Sequence, residues 1–440
     1  MKIRLLLFTL IALFFVLFAT ACDSSTSNKQ SSSHSTQTAV TTTPPIQSSA
    51  TTTSVPTRTT TPTATMPVIT TTPSCPQQGT ARPAIMPVLQ TGGNDQNIVY
   101  LTNTLDGGSG PSGGGLFFLK RYDVQTRTTN VILNLRNSVF ETAQISSDGQ
   151  WILFNSLSLV NSQSELQLVR IDGQYLQTLY CAPANQQIDP THTTGLQWSP
   201  DQKQIIFNQG ASVAASQTLY LLQVNTGNVQ QEMTASAGFL QFFPRTWMDN
   251  THVFIIDTSG SNVLLLDTGK GPNQDYNTMQ RFIGPHDFTM DFDSSYDAKD
   301  FFMSTYLHQG TAQCSISIEP IGNITDVKTI NCNTLAVNSL RVISKSTAGL
   351  LLQVYAGTSG NPNNGLWKIN TNGTGLTHLT ISTGIGPSNA FCPFTQYPWS
   401  NFSRDGSFYT DATSFGSLQG GPLTLYTTNV NTRLVGWTTE

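Results

Sequence analysis

The sequence predicts an all-β protein built from one four-stranded unit repeated in series, and three observations carry that reading. From about residue 81 onward, short apolar runs alternate with Gly, Asn, Asp and Ser turns, and no long 3.6-residue period interrupts them. The runs also repeat. Ile145-Ser-Ser-Asp148-Gly-Gln-Trp151-Ile-Leu-Phe154 aligns with Trp198-Ser-Pro-Asp201-Gln-Lys-Gln-Ile-Ile-Phe207, Trp247-Met-Asp249-Asn-Thr-His-Val-Phe254 and Phe402-Ser-Arg-Asp405-Gly-Ser-Phe-Tyr409. A second pattern follows the first in each unit, as in Leu366-Trp-Lys-Ile-Asn-Thr-Asn-Gly373, Leu219-Tyr-Leu-Leu-Gln-Val-Asn-Thr-Gly227, Leu166-Gln-Leu-Val-Arg-Ile-Asp-Gly173 and Leu425-Tyr-Thr-Thr-Asn-Val-Asn431.

Ahead of the repeats, residues 1–21 read as a signal peptide. Lys2 and Arg4 precede an apolar stretch from Leu5 to Phe18, and Ala19-Thr20-Ala21-Cys22 follows it. Small residues before a cysteine at this point resemble a bacterial lipobox. The resemblance implies cleavage before Cys22 and lipidation of Cys22, with a membrane as partner. An ordinary secretory cleavage with a free Cys22 is the alternative.

Residues 22–80 read as a disordered tether. Of the 45 residues from Ser31 to Cys75, 31 are Ser, Thr or Pro, and Arg58 is the only formally charged one. Such a segment cannot bury enough apolar surface to offset its ordering entropy.

Residues 81–440 hold the repeats. Besides the turn residues Asp148, Asp201, Asp249 and Asp405, weaker copies place turns at Asn94, Asp297 and Ser346. Four-stranded units recurring at a period near 50 residues mean a β-propeller. The count is seven blades, with six as the alternative because the first and sixth copies are degenerate. The Ser-Pro-Asp-Gly-like turn followed by an apolar strand, and then by Leu-Tyr-x-x-Asn, resembles the TolB-like propeller repeat. That resemblance implies the fold and says little of activity.

Composition narrows the function classes. With 21 Lys+Arg against 25 Asp+Glu, a net charge of -4 and 10% charged residues, the chain lacks the basic clusters a nucleic-acid binder needs. Gly110-Pro-Ser112-Gly-Gly114 matches Gly-x-Ser-x-Gly but sits in a glycine-rich loop, without the strand-to-helix turn that exposes a nucleophile. Asp287, Asp291, Asp293, Asp297 and Asp300 form the densest acidic stretch and read as one polar strand face plus a repeat turn, so no metal or cofactor is assigned. The recurring Trp residues read as packing between blades. No catalytic residue is assigned, and a propeller enzyme or a polysaccharide or solute sensor with a site in the central channel is the alternative.

Five cysteines follow Cys22. Cys314 and Cys332 flank a hairpin and are expected to pair across it, Cys75 is expected to pair with Cys392, and Cys181 is the odd thiol. If the strands of a unit are labelled a to d, the a–b and c–d turns share one end and the b–c and d–a connections the other. Long b–c loops are expected at 104–115, 156–164, 209–217, 357–365 and 413–421, and long d–a connections at 181–194 and 268–285. Long loops on a rigid scaffold are where binding residues gather, so a protein or carbohydrate partner is expected on the b–c/d–a face through polar contacts.

Overall fold

Seven antiparallel sheets follow one another along the chain in a computed structural model that describes residues 69–70, 73–82, 95–103, 115–135, 137–189, 196–211, 215, 217–234, 242–257, 262–282, 288–294, 299–307, 314–321, 328–332, 339–346, 349–355, 361–380, 402–411, 413–429 and 431–439. Sheet II is typical. It runs Ser138–Ile145, Trp151–Ser158, Ser164–Arg170 and Gln177–Cys181 as an up-and-down meander. The four-strand meander of sheet III begins at Leu196–Trp198, that of sheet IV at Phe242–Trp247, of sheet V at Phe288–Ser294 and of sheet VI at Ser339–Ser346, and in sheet III Gln187–Ile188 adds a fifth short strand. In sheet VII, Phe408–Asp411, Ser414–Ser417 and Thr424–Leu425 pair in order, and Phe402 bridges to Tyr409. The only helices among the described residues are two three-residue 3-10 turns, so the all-β expectation is met.

Sheet I is assembled differently from the sequence expectation. Its strands Gln96–Thr102, Phe118–Asp123 and Thr128–Leu135 are completed by the C-terminal strand Thr432–Thr439, which pairs with Gln96–Thr102 so that Ile98 faces Trp437. The repeat pattern had left 432–439 with the seventh unit. The apolar alternation Leu434, Val435, Trp437 suits either sheet, and the partner is chosen by the tertiary structure.

The repeated turn has a physical cause. In sheets II, III and VII the turn after the first strand is Ser-x-Asp-(Gly/Gln). The Ser199 hydroxyl donates to Asp201 at 2.8 Å and accepts the Gln204 N–H at 2.9 Å. Ser403 donates to Asp405 at 2.6 Å and accepts from Phe408 N–H at 2.9 Å, and Ser146 does the same with Asp148 and Trp151 N–H. Each Asp carboxylate in turn accepts a backbone N–H two residues on, from Gln150, Lys203 or Ser407. The fourth turn position has positive φ (Gly149 at 75°, Gln202 at 61°, Gly406 at 72°), which favours Gly.

Apolar residues explain how the sheets stack. In sheets II, III and VI the second strand is buried on both faces, so it reads as a continuous apolar run (Ile152-Leu-Phe154, Ile205-Ile-Phe207, Leu350-Leu-Leu352) rather than an alternation. Ile152 and Phe154 pack with Val99, Leu101 and Leu119 of sheet I, while Trp151 and Leu153 pack with Trp198, Ile205 and Phe207 of sheet III. Ile206 turns the other way, onto Trp247, Val253 and Leu264 of sheet IV. Phe254 stacks on Phe301 of sheet V with ring centroids 5.3 Å apart. Phe302 and Ile316 meet Leu350 and Leu352 of sheet VI, and Leu351 and Leu366 meet Phe402 and Tyr409 of sheet VII. Phe415 and Tyr426 of sheet VII then pack on Tyr100, Tyr122 and Trp437 of sheet I. Trp151, Trp198, Trp247 and Trp437 are thus packing residues between sheets.

The segment before the repeats is not free of them. Ile69–Thr70 adds a short parallel strand outside Thr128–Leu135. The chain then crosses the outer strand of sheet II, where Thr178 Oγ1 donates to Pro73 O at 2.8 Å, and reaches sheet III, where Gly79 N–H donates to Gly227 O at 3.0 Å and Arg82 N–H to Val224 O at 3.1 Å. The expected tether end at residue 80 therefore falls inside a strap bonded to three sheets.

Two loop expectations are corrected. Residues 268–285 contain Gln280–Phe282, the last strand of sheet IV, so most of this stretch is a c–d connection and lies at the tight-turn end. Residues 413–421 contain the strand Ser414–Ser417 rather than one long loop.

Candidate functional site

The strap is held by a disulfide that the sequence reading paired differently. Cys75 bonds to Cys181, at the end of the outer strand of sheet II, with Cα atoms 5.8 Å apart. This overturns Cys75–Cys392 and the free Cys181. The strap runs along the outer edges of sheets I to III, so Cys75 meets the second sheet. Cys392 lies outside the described residues. Cys332 is buried and disulfide-bonded, and the register that sets Ser315 opposite Asn331 places Cys314 opposite Cys332.

Beside the disulfide, Glu165 pairs in register with Cys181, and burial pushes its carboxyl above the usual range. Arg82, 7% exposed, donates from Nε to Leu179 O at 2.9 Å and from a terminal nitrogen to Gln77 O at 3.2 Å and to Thr80 O, and its burial lowers its pKa. The guanidinium is thus a three-way clamp between the strap and sheet II.

At the tight-turn end, the turns of three sheets are bonded to one another. Arg404 of sheet VII donates to Ser146 O at 3.2 Å and Ser147 O at 3.0 Å of sheet II, and its own N–H donates to Gln96 of sheet I at 2.9 Å. Gln202 of sheet III donates to Ser147 Oγ at 2.6 Å. Burial alone would raise the Asp405 carboxyl, but the hydroxyl and N–H bonds from Ser403 and Ser407 outweigh it and hold the group below the usual range. Asp249, in the sheet IV turn, accepts from the N–H of Thr251 and of His252 at 2.7 Å each, and these bonds likewise overcome its burial. Asp297 lies outside the described residues. The repeat Asp residues seen here hold turns.

The opposite end is organised by amide side chains. Ser164 Oγ donates to Asn155 Oδ1 at 2.8 Å, and Asn155 Nδ2 donates to Ile188 O at 2.9 Å. Gln187–Ile188 fold back onto Gln204–Gly210, which locks the connection between sheets II and III. Tyr180 Oη donates to Gln209 at 2.6 Å, and burial, with Tyr220 adding to it, pushes the phenol up to about 12. Asn208 donates to Gln217 across the next loop. From this fixed base the 159–163 turn of sheet II projects Leu159 and Val160, which are 57% and 76% exposed. Alongside the polar groups expected on this face, Leu159 and Val160 form an apolar tip, readable in the sequence as the apolar run Leu-Ser-Leu-Val at 157–160 entering a turn. Of the other expected loops at this end, 104–114 lies outside the described residues, Gly110–Gly114 included, and of 357–365 only 361–365 is described, running into the strand Gly365–Ile369.

No protein-family model matches the chain, and no curated protein matches it. Among solved structures it is similar to a prolyl endopeptidase (13% identity, TM-score 0.41), covering 65% of this chain and only 41% of that one. It is similar to an oligogalacturonate lyase determined in complex with manganese (13% identity, TM-score 0.46, covering 70% and 81%). It is also similar to a putative TolB from Agrobacterium tumefaciens (15% identity, TM-score 0.35, covering 65% and 88%). At these scores the similarities decide nothing about chemistry.

Proposed function

We propose that the protein is a lipid-anchored, extracytoplasmic β-propeller of the TolB-like type, closed by seven blades, which acts as a binding module in the cell envelope. Closure is supported by the apolar contact of sheet VII with sheet I and by the C-terminal strand that completes sheet I. The observation that carries a binding role is the contrast between the two ends. One is tied together by Arg404, Ser147 and Gln202. The other presents Leu159 and Val160 on an amide-locked base. A rigid base spares a partner the cost of ordering the loops. The partner, a protein or an envelope carbohydrate, docks at this b–c/d–a end.

Acylation of Cys22 with two chains gives stable attachment, since one chain is marginal. The test is metabolic labelling with palmitate and detergent phase partition of the wild type and Cys22→Ala. Labelled wild type in the detergent phase and unlabelled Cys22→Ala in the aqueous phase support the anchor, and wild type in the aqueous phase overturns it.

A further inference from the structure

Sheet IV carries a second cleft at the tight-turn end, away from the proposed docking face. Its two walls are fixed by strand register. His252 opens the second strand, Asp267 closes the third, and the two residues face each other directly. Gln280 sits opposite Leu265 one strand further on.

The 268–279 connection forms the rim and is itself pinned. Gln274 Nε2 donates to Asp267 O at 2.8 Å and to Glu232 Oε2 at 3.2 Å, while the Asn273 and Gln274 N–H groups donate to Gln231 O and Glu232 O at 3.1 and 2.8 Å. Glu232 belongs to the outer strand of sheet III. The cleft so formed is open to solvent and about 180 Å³ in volume, room for a small ligand, and Leu265 and Met279 give it an apolar side.

The polar groups are set for a specific pattern of donors. Asp249 lies 2.8 Å from His252 Nδ1, which in the neutral ring places the proton on Nδ1 and leaves Nε2 as an acceptor. His252 Nε2 is 3.7 Å from Asp267 Oδ2, and Lys270 Nζ is 3.8 Å from that same oxygen. Both separations exceed hydrogen-bond length. Asp267 Oδ1 accepts the Gly269 N–H at 2.9 Å as the cap of the 268–270 turn, so the groups turned to the cleft are Asp267 Oδ2 and His252 Nε2 as neighbouring acceptors, with the Lys270 ammonium as a flanking donor. Two adjacent hydroxyl groups satisfy that set, each donating to one acceptor while an oxygen accepts from Lys270.

We propose that this cleft binds a neutral sugar through a vicinal diol, held by His252, Asp267 and Lys270, with the C–H face of the ring on Leu265 and Met279. Apolar walls with a few convergent polar groups are the general design of small-ligand sites. The site is separate from the Leu159/Val160 surface.

The test is saturation-transfer NMR on the full chain in detergent micelles with the methyl α-pyranosides of mannose, galactose and glucose, each taken through the millimolar range. At least one is expected to receive saturation at its ring protons. Asp267→Asn and Lys270→Met are expected to weaken that binding about tenfold each, the scale of a hydrogen bond to a charged group. Asn still caps the 268–270 turn, and the Lys270 side chain is 72% exposed, so both variants keep the fold. Absence of transfer to all three glycosides overturns the proposal, and so does binding that both cleft variants leave intact.

Discussion

Removing the Cys75–Cys181 bridge tests how the strap stabilises the protein. In the double variant Cys75→Ser/Cys181→Ser the folded state loses little packing, because Cys75 is exposed and Cys181 only half-buried. The effect falls on the unfolded chain instead. The bridge spans 106 residues. In the chain-entropy model, closing a loop of that length is worth about 4.8 kcal/mol at 25 °C, an upper figure because residual unfolded-state structure reduces it.

Part of the strap stays docked without the bridge, through Gly79 N–H on Gly227 O and the Arg82 clamp on Leu179 O. The expected outcome in non-reducing urea denaturation is a loss of about 3–5 kcal/mol. Hydrogen exchange should accelerate at Gly79 and Arg82, while the Ile152–Phe154 amides stay protected until global unfolding. An unfolding free energy within about 0.5 kcal/mol of wild type, the range of an ordinary surface change, would refute the entropy argument.

Three further outcomes are expected. Gly227→Ala puts a methyl group into the Thr80 carbonyl at a φ of 70°, and should cost about 1–3 kcal/mol in urea denaturation and open the strap to limited proteolysis. Ser199→Ala and Ser403→Ala each remove a hydroxyl bonded both to the turn Asp and to a strand N–H, and should each cost about 1 kcal/mol by the same measurement. Asp249 and Asp405 have depressed folded-state pKa values, so their stabilisation is fully present above the ordinary carboxylate range and is lost as pH falls through their lower folded values. The urea midpoint should drop on acidification, and Asp405→Asn should flatten that drop.

Much of the fold was legible because its cause is local. The Ser-x-Asp turn closes on itself within six residues, and the runs at 151–154 and 205–207 record strands buried on both faces. What the sequence hid is non-local. Nothing within 432–439 says that this strand belongs beside Gln96–Thr102 rather than beside its neighbours in sequence. Nothing in the spacing of Cys75 says which of the outer edges it reaches. The same limit applies to the cleft. Thr268–Thr278 reads as a polar loop, and only the pairing of His252 with Asp267 and of Gln274 with Glu232 turns it into a walled site.

These non-local elements act at one place. Sheet I takes its first strand from the C-terminus and its fifth from the strap, so both ends of the folded region are incorporated in the same sheet. A pull applied on the N-terminal side would load Ile69–Thr70 on the outer strand of sheet I and then the strap. The bridge passes that load to the outer strand of sheet II and Arg82 passes it to Leu179 O, rather than to the pairing of Gln96–Thr102 with Thr432–Thr439. That pairing is held by ladder hydrogen bonds and by the packing of Trp437. The strap's bonds to sheets II and III thus bypass the pairing of Gln96–Thr102 with Thr432–Thr439.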